Sequence, residues 1–599
     1  MKKYFVISIL VLAVVASYAP AVRNGFVWDD TALILRDPLI RSWRLIPEGF
    51  NHFLFVDATA SDFYRPIQRL TYTLEYAAFA FRPAPYHVTS ILCHATAAIA
   101  LLFFAEEFLL AFGMEERKRR MLALIAALVW AIHPVQSAAV VYVSGRADSL
   151  AAIFGFLGCY LIFRSLRTSS RGNLALLIGA GVALLLSALS KETGLIFPAL
   201  VIVVLALMKH WGAVLKSAVI AAFICVIYLS LRLPAEHNPP PVLGTRPPLA
   251  TRPIVVARAF AEYTGLLVFP VNLHMEREVE AQLSPNADIA GVARRELQTL
   301  LGISLLVASV CWGVRARRRE PAAFALLVLA ALSYLPMSGM MLLNASVAEH
   351  WLYLPSAFLF LAAAVTTWRF FEGHEARTRI RHAIPVALAC WVMFLGARTF
   401  IRTFDWKDQR TFLERTIAQG GDSARMLINL GGFELGEGRL DLAKKHLQAA
   451  LRKEPDQPLA VINLATLALK QNELKVARNL LTHAVRMPLV EAHAHELLAV
   501  LENKENGRAN LLRLRLAART GPPNWAIEKR YIKLLHETGA TPAAIIELKT
   551  CLVTGWYRAE TWQLLSQLFL KTGRAKEAAI ALAYANNYDV HLAKHRHLL

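Results

Sequence analysis

Apolar and polar positions fall into two regimes along this chain. Up to about residue 400, apolar stretches of a length suited to crossing a bilayer core as helices alternate with short polar connections. Candidate spans lie near 4–21, 88–111, 121–140, 149–163, 174–189, 195–208, 213–231, 298–313, 321–343, 351–368 and 383–400, about eleven in all. Beyond Asp405 the pattern becomes that of water-soluble helices, with Lys, Arg, Glu, Asn and Gln returning. The expected fold is all-α: a polytopic membrane helix bundle over 1–403, its first extracytoplasmic loop at 23–85, followed by a helical domain over 404–599.

Within that second domain, turn residues recur at Gly438, Asn472, Asn506, Gly539 and Gly573, at gaps of 34, 34, 33 and 34 residues. Five residues after each turn stands Ala443, Ala477, Leu511, Ala544 or Ala578, and eight before it Leu430, Leu464, Leu498, Tyr531 or Leu565. Small residues let two helices approach closely, and a glycine supplies the left-handed backbone of a tight connection. This pattern over about 420–590 resembles tetratricopeptide repeats, best at Trp562-x-x-Leu565-Ser566-x-x-Phe569 and least in the third unit. Such α-solenoids present a concave surface suited to a peptide or protein, though they need no ligand to fold.

Composition agrees with the span reading: 56% of the 599 residues are hydrophobic, and the mean hydropathy is +0.42. The formal charge of +21 would suggest nucleic acid if it lay on one soluble face. Instead the cations sit in short runs between apolar segments, at Arg117–Arg120, Arg164/Arg167/Arg171, Lys209/Lys216, Arg315–Arg319 and Arg377–Arg381. That is the loop bias of membrane proteins, so no nucleic-acid partner is expected. Five of the six cysteines lie in apolar segments, with no CxxC pair and no disulfide framework.

If all the spans hold, every basic run lands in the cytoplasm, while 23–85, 141–148, 190–194, 232–297, 344–350 and the tail land outside. The start, Met1-Lys2-Lys3 and an apolar run with Ala19-Pro20-Ala21, reads as a signal peptide or a retained anchor; retention is favoured because later spans give it neighbours. The proline-rich run from Asn238 cannot span, and 254–270 reads as a surface or re-entrant helix. The expected location is the inner membrane, multi-pass, with the repeats periplasmic.

Ionisable residues collect at the outer ends of these spans. Trp28-Asp29-Asp30 opens the first loop, and His133-Pro134 interrupts the third span and leads to Ser144-Gly145-Arg146-Ala147-Asp148. The fifth span ends in Lys191-Glu192-Thr193-Gly194, and the tenth begins at Glu349-His350. Burial of such groups at a membrane boundary is costly without a partner or ligand. Mutual ion pairs that finish helices would account for any one of them, less well for the whole set.

Taken in order, Phe26-Val-Trp-Asp-Asp, Tyr64-Arg65-Pro66 with Tyr86-His87 and His94, His133-Pro-Val, Gly145-Arg-Ala-Asp, Lys191-Glu-Thr-Gly and Glu349-x-x-Leu-Tyr-Leu-Pro-Ser carry a family resemblance. They resemble the transmembrane-and-tetratricopeptide-repeat O-mannosyltransferases, multispan C-type glycosyltransferases with lumenal repeats. The chain departs from that pattern at Gln136-Ser137-Ala138, where the family tends to His-Thr-Glu, and at His350, which stands for an arginine. The resemblance implies that Asp29 or Asp30 is the catalytic carboxylate, that the donor is a polyprenyl-phosphate sugar, and that the acceptor is an extracytoplasmic hydroxyl on a protein or glycan recruited by the repeats. Arg146, Lys191, His350 and His133 become candidate donor contacts, with Tyr64, Arg65, Asp148, Glu192 and Glu349 as further site residues. No cofactor is required; a divalent metal is compatible with the chemistry but not implied, and no metal ligands are assigned.

Two rivals explain less of the sequence. A membrane-anchored repeat scaffold without chemistry leaves the boundary charges unexplained, and a transporter would place charges near span centres, where Glu106 and Glu107 are the nearest examples. Sidedness is directly testable: reporters fused at Arg119, Ser169 and Arg318 should report cytoplasm, and those at Ala60, Asn238 and the C-terminus the outside. A cytoplasmic C-terminus with the other fusions as stated would make 254–270 a span and place the repeats inside.

Overall fold

The computed structural model describes residues 3–56, 61–168, 170–235, 249–277, 279, 289–340, 346–372, 378–507 and 510–592. The proline-rich run 238–248, Ala60, Ser169, Arg377 and the extreme C-terminus lie outside these, as do the side chains of Arg171 and 378–381. Among the described residues the chain is helical apart from one two-residue antiparallel pairing, Glu276 with Ala348 and Arg277 with Val347. The chain forms two compact units. One comprises Met1–Val27, Pro83–Leu233 and Gly244–Gly421, the other Trp28–Arg82, Pro234–Leu243 and Asp422–Leu599. Packing therefore groups the first loop with the repeats, whereas a cut at 403/404 follows chain order alone.

Among the described residues of the first unit, eight helices are long and apolar enough to cross a membrane, and the pair Glu116–Ile132 and Pro134–Val140, bent by 54°, adds a ninth if the two form one span. The protein is a multi-pass membrane protein. The two remaining candidates from the hydropathy pattern, near 195–208 and 321–343, are the shorter apolar helices Glu192–Leu207 and Pro321–Met337. Lys209 takes a left-handed φ of 61° just beyond the first, and Gly339 a φ of 92° just beyond the second. Lys3–Tyr18 packs as part of this unit, burying Leu10, Val14 and Tyr18. Tyr18 meets the His94 ring edge-on with centroids 5.5 Å apart.

The segment 254–270 forms the helix Arg252–Val268, which is not among the apolar helices of membrane length. Its buried Arg258 donates to Thr299 Oγ1 at 2.8 Å and pairs with Glu296 at 3.1 Å. Close approach fixes this hairpin, since a Cβ on Gly302 would stand 1.9 Å from the Ala257 carbonyl oxygen. Glu107 is met by Arg164 and Arg167 from the end of Arg146–Ser165, which accounts for one of the two acids in the second span.

In the second unit, five helical hairpins follow in succession: Ala424–Gly436 with Leu440–Lys453, Pro458–Lys470 with Leu474–Ala484, Glu491–Asn506 with Leu511–Arg519, Trp525–Glu537 with Thr541–Thr554, and Ala559–Lys571 with Ala575–Tyr588. Ala443, Ala477, Ala544 and Ala578 are buried between paired helices, as the spacing requires. The turns at Gly438, Asn472, Gly539 and Gly573 are left-handed; in the third repeat that conformation falls on Gly507, not on Asn506, which still closes its helix. A second periodicity emerges in the packing. Lys470 Nζ donates to the Leu435 carbonyl and Lys504 Nζ to that of Leu469, each at 2.9 Å, so a lysine caps the helix end 35 residues earlier.

The first loop is built onto the last repeat. Tyr76 of the helix Pro66–Phe79 donates its hydroxyl to Asp589 Oδ1 at 2.9 Å, and His591 Nε2 lies 2.8 Å from the Tyr76 carbonyl. Val590 N donates to the Arg41 carbonyl at 3.1 Å, while Leu39 and Leu45 share an apolar cluster with Tyr557, Trp556 and Tyr588. The Asp589→Ala variant removes the acceptor of the Tyr76 hydroxyl proton, leaving only the Arg41 side chain beside that oxygen, a cost of about 1–3 kcal/mol. It should raise hydrogen exchange across 66–79 while exchange in 424–571 stays unchanged; equal exchange in the loop would refute the clamp.

Candidate active site

The chain leading to the paired carboxylates is moored within the membrane unit. Asn24 Nδ2 donates to the Thr403 carbonyl at 2.9 Å, Gly25 N to that of Lys407 at 2.8 Å, and His87 Nε2 lies 3.3 Å from the Gly25 carbonyl. Trp28, the first residue of the second unit, takes a left-handed φ of 55°, which a bulky side chain adopts only when its surroundings hold it there. Its ring lies under the Arg425 guanidinium at 5.6 Å. The helix that follows, Thr31–Arg36, is π-wound, and the Asp29 carbonyl accepts from both Ala32 N and Leu33 N. The two carboxylates are therefore unequal: Asp30 is fully buried, whereas Asp29 is partly exposed.

A residue without any motif holds this loop together. Arg69, buried in Pro66–Phe79, pairs with Asp37 Oδ2 at 3.1 Å. It also donates to the carbonyls of Gly49, His52 and Phe53 at 2.7, 3.0 and 2.7 Å. Asp37 spends its other oxygen on Leu39 N at 2.8 Å. Tyr64 is buried with its hydroxyl donating to the Phe50 carbonyl, and Arg65 lies over the Phe63 ring at 4.6 Å.

In the membrane unit, Arg146 and Asp148 start the helix Arg146–Ser165, and Lys191 follows the end of Ser170–Ser190. Lys191 Nζ bonds Asp148 Oδ1 at 2.6 Å with both side chains buried. Arg146 donates through Nε to Ser90 Oγ at 3.1 Å and through Nη2 to the Tyr86 carbonyl at 2.7 Å. The glycines of both motifs explain these placements. A Cβ on Gly145 would lie 2.2 Å from the Ala138 carbonyl oxygen, and one on Gly194 2.2 Å from that of Ser187. Glu192 and His350 are partly exposed, the latter with its ring 5.9 Å from that of Trp351.

Both ring nitrogens of His133 face backbone groups. Its Nδ1 accepts from Val135 N at 3.3 Å, which leaves Nε2 to donate to the Leu267 carbonyl at 3.1 Å. Glu349 is fully buried against Arg402 at 3.3 Å, and Arg402 reaches Asp405 at 2.8 Å. Sequence reasoning noted Glu349 but missed Arg402, which sits in an ordinary-looking Arg-Thr-Phe-Ile-Arg run at a span's end. His94 likewise joins a buried polar cluster, with Nδ1 2.7 Å from the Tyr353 hydroxyl and Nε2 2.8 Å from the Ala131 carbonyl. The structure thus brings Asp148 and Lys191 together and bonds Arg146 to Ser90 and the Tyr86 carbonyl, while Asp29, Asp30, Tyr64 and Arg65 belong to the other compact unit. Among the described residues, no group of three or more His, Cys, Asp or Glu side chains is placed to hold a metal ion.

These features define a polytopic membrane protein with a tetratricopeptide-type solenoid. A tetratricopeptide repeat family model matches residues 434–501. The chain is similar to the "Protein O-mannosyl-transferase F38B6.6" of Caenorhabditis elegans, 24% identical over 75% of this chain and 62% of the relative. It is likewise similar to the human "Protein O-mannosyl-transferase TMTC3", 24% identical over 79% of this chain and 54% of the relative. The Drosophila melanogaster "Protein O-mannosyl-transferase Tmtc1" is 24% identical over 75% of this chain and 61% of its own length. The chain thus spans less than two thirds of the length of these relatives. The crystal structure of yeast Tom70 covers 84% of this chain and 97% of its own at 13% identity, but a TM-score of 0.27 carries no structural argument.

Arg69→Lys tests the loop's construction. One ammonium cannot satisfy a carboxylate and three carbonyls in the fork geometry of a guanidinium, and breaking such a buried pair costs about 3–5 kcal/mol. Protease sensitivity within 28–82 should rise sharply while the helicity of the membrane unit is retained; a loop as resistant as wild type would refute this role.

Proposed function

We propose that this protein is a membrane glycosyltransferase that moves a sugar from a polyprenyl-phosphate carrier to a polypeptide hydroxyl on the extracytoplasmic side. The names of these relatives support a protein acceptor and make mannose the first sugar to test. The observation that supports the catalytic assignment is the unequal exposure of the two carboxylates: Asp29 is partly exposed, and Asp30 is fully buried.

In this reading Asp29 accepts the proton of the acceptor hydroxyl as its oxygen attacks the anomeric carbon. The bond from that carbon to the phosphate oxygen breaks, and the carrier phosphate departs with the bonding pair. Asp30 positions its neighbour. Arg146 and Lys191 supply positive charge for the donor phosphate, Lys191 sharing its ammonium with Asp148, and His350 is a further donor contact. Glu192 and Glu349 support the same motifs, with Glu349 acting through Arg402. Inner-membrane residence with the repeats in the periplasm belongs to this reading, because it brings a lipid-linked donor and an exported polypeptide to one side.

Asp29→Asn should lower transfer of labelled mannose from polyprenyl phosphate to an envelope-protein extract by about 10²–10⁴-fold, with abundance and donor binding retained. Lys191→Ala should instead weaken donor binding, since the phosphate is charged already in the ground state. Wild-type turnover by the Asp29→Asn/Asp30→Asn double variant would eliminate the assignment, and a scaffold without chemistry would show no transfer in any variant.

A further inference from the structure

Within the second unit, the first loop and the fourth and fifth repeats enclose a cavity of about 230 Å³ that none of the roles above uses. Aromatic rings of Phe55, Trp525 and Tyr557 form part of its wall, and Glu528, Arg558 and Thr561 supply the polar part. Two observations mark it as more than a packing gap. Thr561 is fully buried and lines the cavity, yet its hydroxyl makes no hydrogen bond among the described residues. Leaving a buried hydroxyl unmatched costs free energy that a well-formed repeat has no reason to bear. Phe55 holds a left-handed φ of 62°, a strained conformation for a bulky residue and one that gathers at ligand sites.

The lining restricts the occupant. A cation would meet Arg558, an anion would meet Glu528, and an apolar side chain would leave the Thr561 hydroxyl without a partner, with the Glu528 carboxylate holding only the Cys551 thiol and the charge of Arg558. Burial holds the Glu528 carboxyl above its ordinary value, and burial together with the adjacent Glu528 carboxylate pushes the Cys551 thiol up to about 12. What fits is a neutral group that offers hydroxyls as both donors and acceptors and presents a C–H face to aromatic rings. At roughly 30 Å³ per water, the cavity has room for about seven or eight waters, comparable to one sugar ring.

We propose that this cavity binds a single hexose unit carried on a glycosylated polypeptide, separately from the transfer site. The Thr561 hydroxyl and Glu528 carboxylate hold sugar hydroxyls, Arg558 donates to the ring or hydroxyl oxygens, and Trp525 and Tyr557 cover the C–H face. The link to a glycosylated product rests on the transferase reading; the binding of a hexose does not.

The test uses the full chain in detergent and saturation-transfer NMR with methyl α-mannoside, methyl β-glucoside or an unglycosylated Ser/Thr-rich peptide. The wild type should give saturable signals with a glycoside at millimolar concentration. Thr561→Val, which removes an unmatched hydroxyl at nearly constant volume, should raise the melting temperature and yet weaken glycoside binding about tenfold. A hydroxyl without a ligand predicts the stabilisation alone. Glu528→Gln provides a second variant, expected to weaken binding without loss of the fold. Absence of glycoside signals in the wild type, or equal signals in Thr561→Val, overturns the proposal, and peptide binding with the same sensitivity would assign the cavity to polypeptide instead. Asp29→Asn must retain the glycoside signals, so loss of transfer and loss of the cavity's ligand are read independently.

Discussion

A guanidinium inside the protein must have its donors matched, and Arg69 shows how much structure that requirement organises. Its pairing with Asp37 and three carbonyls ties the helix Pro66–Phe79 to the chain at 37, 49, 52 and 53. A charged group deprived of water confers geometric definition only if every partner is in place. The region that carries Asp29 and Asp30 has few long helices of its own, so this network replaces the ladder that a regular element would provide. The close approach of Gly49, whose Cβ would stand 3.2 Å from Arg69 Cδ, serves the same packing.

The membrane unit also pairs its buried charges, though less completely: Arg402 Nε and Glu349 Oε1 have no hydrogen-bond partner among the described residues. Lys191 meets Asp148, Arg402 meets Glu349 and Asp405, and Arg146 is held by a serine and a carbonyl. Each cluster lies at a helix end, where orphaned backbone groups and changes of direction make polar partners available. The motif glycines allow those ends to meet backbone to backbone, so that the charges are delivered by close packing and not by long flexible connections. That separates placement from chemistry: Gly145 and Gly194 matter because they position Arg146 and Lys191.

The sequence made periodic features legible and long-range pairing illegible. Apolar runs located the membrane-length helices because a span's length is fixed by the bilayer. The run read at 321–343 ends early, at Met337, ahead of the left-handed Gly339, a property of backbone geometry that hydropathy does not encode. The repeats were readable from their spacing, while the third turn was displaced by one residue because Asn506 and Gly507 are both credible turn formers and only one adopts the left-handed conformation. Arg69 and Arg402 carried no signal, since Asp37 and Glu349, the buried carboxylates they meet, are 32 and 53 residues away and arginine near a span end is ordinary. The bond between Tyr76 and Asp589 crosses 513 residues, beyond the reach of any local pattern.

That last bond changes what the repeats mean for the candidate site. A solenoid is ordinarily a chain of nearest-neighbour interfaces whose end needs a polar cap. Here the end is covered by the first loop: Leu39 and Leu45 pack with Tyr557, and Arg41 stands over the rings of Tyr76 and Phe81 at 4.8 and 4.3 Å. Capping the array and shaping the loop are then one folding event, because the apolar residues that finish the last repeat also bury the loop. Any ligand that orders 52–56 against 523–561 must act on both, since a preference for the closed arrangement stabilises it by the difference in binding free energy. Occupancy of the cavity and the rigidity of the loop bearing Asp29 are consequently linked through one packed body, without a separate relay.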